Sequence, residues 1–399
     1  MKWLNIILLC GALCAVGCTK EESIIESGTA GDLTWTLLEN GTLTISGKGA
    51  MPDYLSIAGG ASTAPWYEYR DKISDLIIGN DITHIGNFAF WECGQLKSIT
   101  IGSSVAAIGK CAFIYCSSLL SVNIPNSVVS IGEIAFFKCS SLSSVIIGNS
   151  VQFIGDNAFG NCAITSVTIP SSVISIGVEI FTYCESLESI HVENSNIAYS
   201  SENGVLYNRT KTTLIKYPAK KAGVSYTIPN SVTFIESAAF ENCKELTDIT
   251  IPNSVTTIER AAFVNCSGLT SVIIPNNISI INDFLFYYCT GLTSVIIPNS
   301  VISIGNCAFT NCRNLTSITI GSSASSFGTQ AFSGCTGLSE IINQRSIPQT
   351  INDIGYYSNI FSGINKTTCT LFVPAGSEDT YRAADGWKDF VNIIAINAE

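Results

Sequence analysis

The chain has 399 residues, enough for two compact domains or for one extended repeat array, and internal self-similarity decides between them. Charged residues make up only 13% of it and the formal net charge is −11, so there is no basic footprint for nucleic acid or for anionic lipid. Solubility must rest on Ser, Thr and Asn rather than on ion pairs.

Residues 1–17 read as a lipoprotein signal peptide. Lys2 gives a positive start, and Leu4 to Val16 is an apolar run too short to span a bilayer, as in a secretory h-region. Ala15-Val16-Gly17-Cys18 resembles the lipobox of bacterial lipoproteins, which implies lipid attachment at the Cys18 thiol, although Ala15 stands where Leu is commoner. The plainer alternative is an ordinary signal peptide followed by a chance cysteine. Two or three acyl chains, at about 0.8 kcal/mol per buried methylene, anchor a protein stably. Thr19 is not the Asp that retains lipoproteins at the inner membrane, and Lys20-Glu21-Glu22 looks like the export signal of Bacteroides-like bacteria. The expected address is therefore the outer membrane, exposed on the cell surface, with the lipid anchor as the only membrane contact. Residues 18–30 are expected to be a flexible tether.

Residues 31–72 read as a β-rich N-terminal cap. Leu33 to Leu38 and Thr42 to Ile45 flank Glu39-Asn40-Gly41, a hairpin in which Asn-Gly supplies positive φ. Trp66 and Tyr67 are placed to cover the first rung of the array, whose core and strand edges would otherwise be open.

Residues 73–343 form the array. Cys93, Cys116, Cys139 and Cys162 are spaced by 23, Cys184 follows at 22, and Cys243, Cys266, Cys289, Cys312 and Cys335 resume at 23. A phenylalanine stands three residues before each, as Phe286 does before Cys289, and most are followed by L-x-x-[VI]-x-I, as at Leu269, Val272 and Ile274. This is a leucine-rich-repeat signature. The expected fold is an α/β-type repeat solenoid with one short parallel strand per rung and little regular helix. Strand alternation puts Val272 and Ile274 in the core and Ile273 outside. Ala261 to Cys266 is expected to return the chain in a short helical turn. Ten rungs at about 4.8 Å each make roughly 50 Å of stacked core.

Stacked cysteines would hold their Cβ atoms near the rung spacing of about 4.8 Å, beyond the reach of a disulfide, so the column reads as buried free thiols. One thiol per rung does not surround a point, so no metal site is expected. Cys111 and Cys307 share an extra position and are the better candidates for accessible thiols. Around residues 196–222 the register is interrupted by a β-hairpin insertion, Val205 to Tyr207 and Leu214 to Tyr217, carrying Arg209, Lys211, Lys216, Lys220 and Lys221. It is either a protruding contact element or a structural join with a solvated face. Residues 344–399 are expected to form the C-terminal capping segment.

The wording of the repeats, such as IPNSVTTIERAAFVNCSGLTSV (Ile251 to Val272), resembles the BspA-like leucine-rich-repeat proteins of bacterial surfaces. So do the lead-in LTWTLLENGTLTISGKGAMPDY, the insertion NGVLYNRTKTTLIKYP and the ending CTLFVPAGSEDTYRAADGWKDFVNI. The resemblance implies that Cys369 to Pro374 is a last strand and Ser377 to Trp387 a short helix shielding it, and it implies adhesion to host matrix proteins or to other cells, without fixing one ligand.

Catalysis finds little support. His84 and His191 lie in different rungs without a nucleophile or metal partner nearby in sequence, and Asp81, Glu188, Glu193 and Glu245 do not recur as a pair. No P-loop, GxSxG, HExxH or EF-hand pattern occurs. No catalytic residue, metal ligand or cofactor is expected. Binding has more to work with, because outward strand positions form columns. One is mostly serine, including Ser271 and Ser294. The other includes Ile273, Ile296, Thr319 and Ile342, and isoleucines side by side on a solvated surface are unexpected. Strand propensity alone is the competing explanation. These six residues are the candidate ligand-binding positions, for a protein ligand such as a host extracellular-matrix or cell-surface protein. The alternatives are a glycan-binding component of nutrient capture, for which the strand columns carry no aromatic platform, and a hydrolase with a non-sequential site.

Overall fold

A computed structural model describes residues 22–57, 61–351 and 359–396. The signal segment and Cys18 lie outside the described residues. Most rungs run through a first strand, a corner, a second strand of two residues, and a tight turn that carries the cysteine. In the rung opened by Ser271–Ile273, the corner at Pro275 leads to Ile280–Ile281, and both strands pair parallel with the next rung, Ser271↔Ser294 and Ile281↔Ile304. The solenoid thus has a second strand column beyond the one expected from sequence. Two residues are too short to show a period, so only the buried Ile281 betrays this column in the chain.

The turn is not helical. Ala261 and Asn265 take positive φ, 57° and 58°. Its alternate amides, Ala261 N, Phe263 N and Asn265 N, donate to Asp283 O, Leu285 O and Tyr287 O of the next rung at 2.9, 3.0 and 2.7 Å. A helix would send those amides back four residues; here the stack satisfies them instead. Among the described residues, helix is confined to a 3-10 turn, Tyr67–Lys72, and to Glu378–Ala383.

Phenylalanines stack along the axis with ring centroids 5.0 to 6.1 Å apart, from Phe90 to Phe181 and again from Phe240 to Phe361. Each of these rings is buried and contributes about 1.5 to 3 kcal/mol of transfer free energy. Trp66 stacks on Phe90 at 5.4 Å and donates from Nε1 to Ala89 O, closing the N-terminal end. Trp387 meets Phe361 edge-on at 5.0 Å and closes the other. The column cysteines tie successive rungs together, since Cys116, Cys139, Cys162, Cys184, Cys266, Cys289, Cys312 and Cys335 donate to the phenylalanine carbonyl of the preceding rung at 3.0 to 3.2 Å. All cysteines of the described residues are free. Burial pushes the thiol of Cys184 up to about 11 and that of Cys93 to about 12. Of the two thiols expected to be accessible, Cys111 is buried and only Cys307 is partly exposed.

Three other expectations need correction. The segment read as tether is a strand from Ile24: Ile24–Ala30 pairs antiparallel with Leu33–Leu38. Its side chains are mostly exposed, so backbone pairing orders it without a hydrophobic signal. At the other end Thr370–Pro374 is not the last strand, because Asn392–Ile396 adds to it in parallel, and the helix before that strand spans only Glu378–Ala383. Phe361 and Ile364 take the phenylalanine and cysteine places of a further rung.

The insertion is built into the stack. Tyr199–Glu202 and Val205–Asn208 form a hairpin whose two-residue turn, Asn203-Gly204, has φ of 50° and 80°, the left-handed pair that suits strand twist. Thr213–Lys216 then joins the second strand column beside Phe234–Ile235, and Tyr217 stacks on Phe240 at 5.2 Å. Val205, Leu206, Tyr207, Leu214 and Tyr217 are all buried, as a structural join requires. The hydrophobic core nevertheless divides here into two clusters, one ending near Leu206 and one starting at Val205. Between Phe181 and Tyr217 the seam is polar. Buried Glu241 accepts from Thr182 Oγ1 at 2.7 Å and from Tyr183 N at 2.8 Å, with Lys216 Nζ at 3.9 Å.

Candidate binding surfaces

The first strand column presents the predicted positions on one face. Ser271 pairs with Ser294 and Ile273 with Ile296; Thr319 and Ile342 follow in register. Ile273 is 82% exposed and Ile296 66%, while Val272 and Val295 between them are buried. Ser271 and Ser294 are exposed, and Thr319 and Ile342 half-buried. Pairing extends the outward column through Phe372 to Ile394, which is 48% exposed. The result is a six-stranded face, about 24 Å across at the usual strand spacing, whose central column is aliphatic and aromatic except at Thr319. Sequence reasoning missed Phe372 and Ile394 because neither lies in the 23-residue register.

The same column is more polar on the N-terminal side, where Asn123 pairs with Ile146 and Thr168 with His191. It is interrupted at the insertion by an open cleft of about 740 Å³, lined by Glu188, Ser189, His191, Asn203, Lys220 and Glu245 among others. Here the structure brings together Glu188, Glu245 and His191, which sequence left apart. Lys220 pairs with Glu245 and feels the charge of Glu188, so one ammonium is shared by two exposed carboxylates. His191 Nε2 lies 3.3 Å from Ser189 Oγ, and His84 Nε2 lies 3.3 Å from Asp53 Oδ1. The two histidines remain in different rungs. Among the described residues no cluster of His, Cys, Asp and Glu is arranged to hold a metal ion.

The turn side carries aromatic residues. Tyr115, Tyr183 and Tyr288 are 37%, 49% and 37% exposed. Trp91 lies 6.3 Å from Tyr115, and Lys138 Nζ sits 4.9 Å above the Tyr115 ring. In sequence these tyrosines look like ordinary turn residues. The cysteine register puts each of them one residue before a column cysteine, but their exposure is seen only in the structure.

The BspA type leucine rich repeat region (6 copies) matches residues 66–188, 107–223, 219–339 and 259–373. Among solved structures, the pneumococcal vaccine antigen PcpA shares the fold at 22% identity, with a TM-score of 0.71 over 96% of this chain and 100% of that one. A leucine rich cell surface protein from Faecalibacterium prausnitzii is similar at 28% identity, with a TM-score of 0.64 over 85% of this chain and 98% of that one. A leucine-rich repeat protein from Eubacterium ventriosum is similar at 28% identity, with a TM-score of 0.61 over 85% and 95%. No curated protein matches the chain. With repeat matches running from residue 66 to residue 373 over rungs of this geometry, the chain belongs to the BspA-type leucine-rich-repeat family.

Proposed function

We propose that the protein binds other proteins at the bacterial cell surface, without catalysis, through the six-stranded face of its C-terminal half. The observation that carries this reading is the pair Ile273 and Ile296, 82% and 66% exposed and directly opposed. Contiguous exposed aliphatics are uncommon on soluble monomers and mark contact surfaces. Burying each of these side chains in a partner yields about 1.5 to 3 kcal/mol, and Ser271, Ser294 and Thr319 beside them supply uncharged hydrogen-bonding groups. A host matrix protein or a protein on another cell is the partner class. The Faecalibacterium relative is described as a cell surface protein, which supports the same address here. Acylation at Cys18 would supply the anchor, through the outer membrane, with the solenoid facing outward.

The test is retention of the purified chain on immobilised matrix proteins, together with protease accessibility on intact cells. Saturable binding to at least one protein and cleavage on whole cells support the reading. Absence of binding across matrix and bacterial surface proteins, or complete protection in intact cells, refutes it. Cys18→Ser separates the anchor from the binding: it should release the chain from the membrane fraction and leave retention unchanged.

A further inference from the structure

We propose that the turn side of the solenoid carries a second site, centred on Tyr183, Tyr287 and Tyr288, that binds a neutral oligosaccharide. It lies on a different side of the rung from the strand face and does not depend on that reading.

The first observation is conformational. In each rung the turn residue just before the cysteine takes positive φ. Asn161, Asn242, Asn265, Asn311 and Gly334 fill the place with residues that tolerate that region, whereas Glu92, Tyr115 and Lys138 fill it in the first three rungs. Tyr183 and Tyr288 occupy it at φ of 55° and 58°, and Phe284 takes the other left-handed position of its turn at 58°. Bulky aromatic residues are disfavoured there, and the fold is served by Asn in neighbouring rungs. Positive φ recurs at this place whatever the residue, so it is the exposure of Tyr183 and Tyr288, 49% and 37%, that the core leaves unexplained.

The second observation is the company these rings keep. Tyr287 and Tyr288 meet edge-on at 4.6 Å, and Phe284 meets Tyr287 at 5.6 Å. Tyr183 is near enough to act electrostatically on Tyr287 although Asn242 and Asn265 separate it from Tyr288 along the column. Asn265 Nδ2 donates to Asn242 Oδ1 at 2.6 Å, while Nδ2 of Asn242 is buried and has no hydrogen-bond partner among the described residues. Glu179 and Arg260 border the cluster 4.0 Å apart and cancel one another. Ring faces at two ends of a short row of amides suit a pyranose chain. The electron-rich rings attract its polarised C–H faces, and the half-exposed Asn265 amide and the phenols meet its hydroxyls. With the Tyr217 rung between those of Phe181 and Phe240, Tyr183 to Tyr288 is four rung steps, roughly 19 Å, the span of a few sugar units. With Glu179 and Arg260 paired, the cluster offers no uncompensated cation to an acidic glycan.

The experiment probes the full chain with immobilised neutral oligosaccharides, namely cello-, xylo-, manno- and malto-hexaose, beside the variant Tyr183→Asn/Tyr288→Asn. The expected result is binding of at least one hexaose, weakened tenfold or more in the variant, with the melting temperature unchanged or raised because Asn accepts positive φ. Ile273→Glu/Ile296→Glu should leave this binding intact. No hexaose bound, equal binding by the variant, or a variant melting several degrees lower would each overturn the proposal. So would loss of a matrix protein by the tyrosine variant in place of a sugar, which would make the cluster a protein site.

Discussion

Replacing Glu241 by alanine should uncouple the two halves of the solenoid. The carboxylate is almost fully buried where the hydrophobic core divides, and its acceptor bonds reach back to Thr182 and Tyr183 across the seam. Removing it leaves the Lys216 ammonium, 6% exposed, with only the Ala238 carbonyl at 2.7 Å. Breaking a buried ion pair from one side costs about 3 to 5 kcal/mol, and each orphaned donor adds about 1 to 3 kcal/mol, so a loss of at least 4 kcal/mol is expected. In a quasi-one-dimensional stack, neighbour interfaces hold the cooperativity, so a weakened seam lets each half unfold by itself. Urea unfolding followed by tryptophan fluorescence and by far-ultraviolet circular dichroism separates the cases. Trp35 and Trp66 belong to the N-terminal core and Trp387 to the C-terminal one, so emission is weighted to the first half. The two probes should coincide in the wild type and diverge in Glu241→Ala. Coincident curves in the variant, with a loss below about 1 kcal/mol, would refute the argument.

Phe286→Ala removes a ring stacked at 5.3 Å on both Phe263 and Phe309, and should cost about 3 to 5 kcal/mol in chemical denaturation. Native alkylation should label Cys307 well before the column thiols, which should react only on unfolding; mass spectrometry of the labelled peptides checks the order. Stability should fall in alkali. Unfolded thiols ionise near 9.0, whereas burial keeps Cys184 protonated to about 11, so its contribution is intact below pH 9 and is lost as pH rises from 9 towards 11. Melting curves across that window should shift down, and less steeply in Cys184→Ala. On the strand face, Ile273→Glu alone should change stability by less than about 0.5 kcal/mol, because the side chain is exposed.

The repeat made most of the fold legible. Alternation assigned Val272 and Ile274 to the core and Ile273 to solvent, and both assignments hold, at 5%, 4% and 82% exposure. What stayed hidden shares a physical cause: it depends on hydrogen bonds between rungs rather than on local pattern. The second strands are two residues long, the turns send their amides along the stack, and Ile24–Ala30 is ordered by pairing while its side chains face water. Phe361 was invisible because Ile364 stands where the register has a cysteine. The strand columns could be written down from the sequence, but not the extent of the aliphatic strip, since Phe372 and Ile394 come from capping strands outside the period. The tyrosine cluster lay hidden for another reason: Asn and Gly before the cysteine in other rungs hint at left-handed φ, but nothing in the sequence marks Tyr183 and Tyr288 as exposed.

The central claim is that the strand face, rather than the core-forming repeat as such, performs the binding. The direct measurement is the dissociation constant of a retained matrix protein for the wild type and for Ile273→Glu/Ile296→Glu, with circular dichroism on both. An unchanged spectrum and melting temperature are expected, with affinity lowered at least tenfold. Unchanged affinity with the fold intact would contradict that claim.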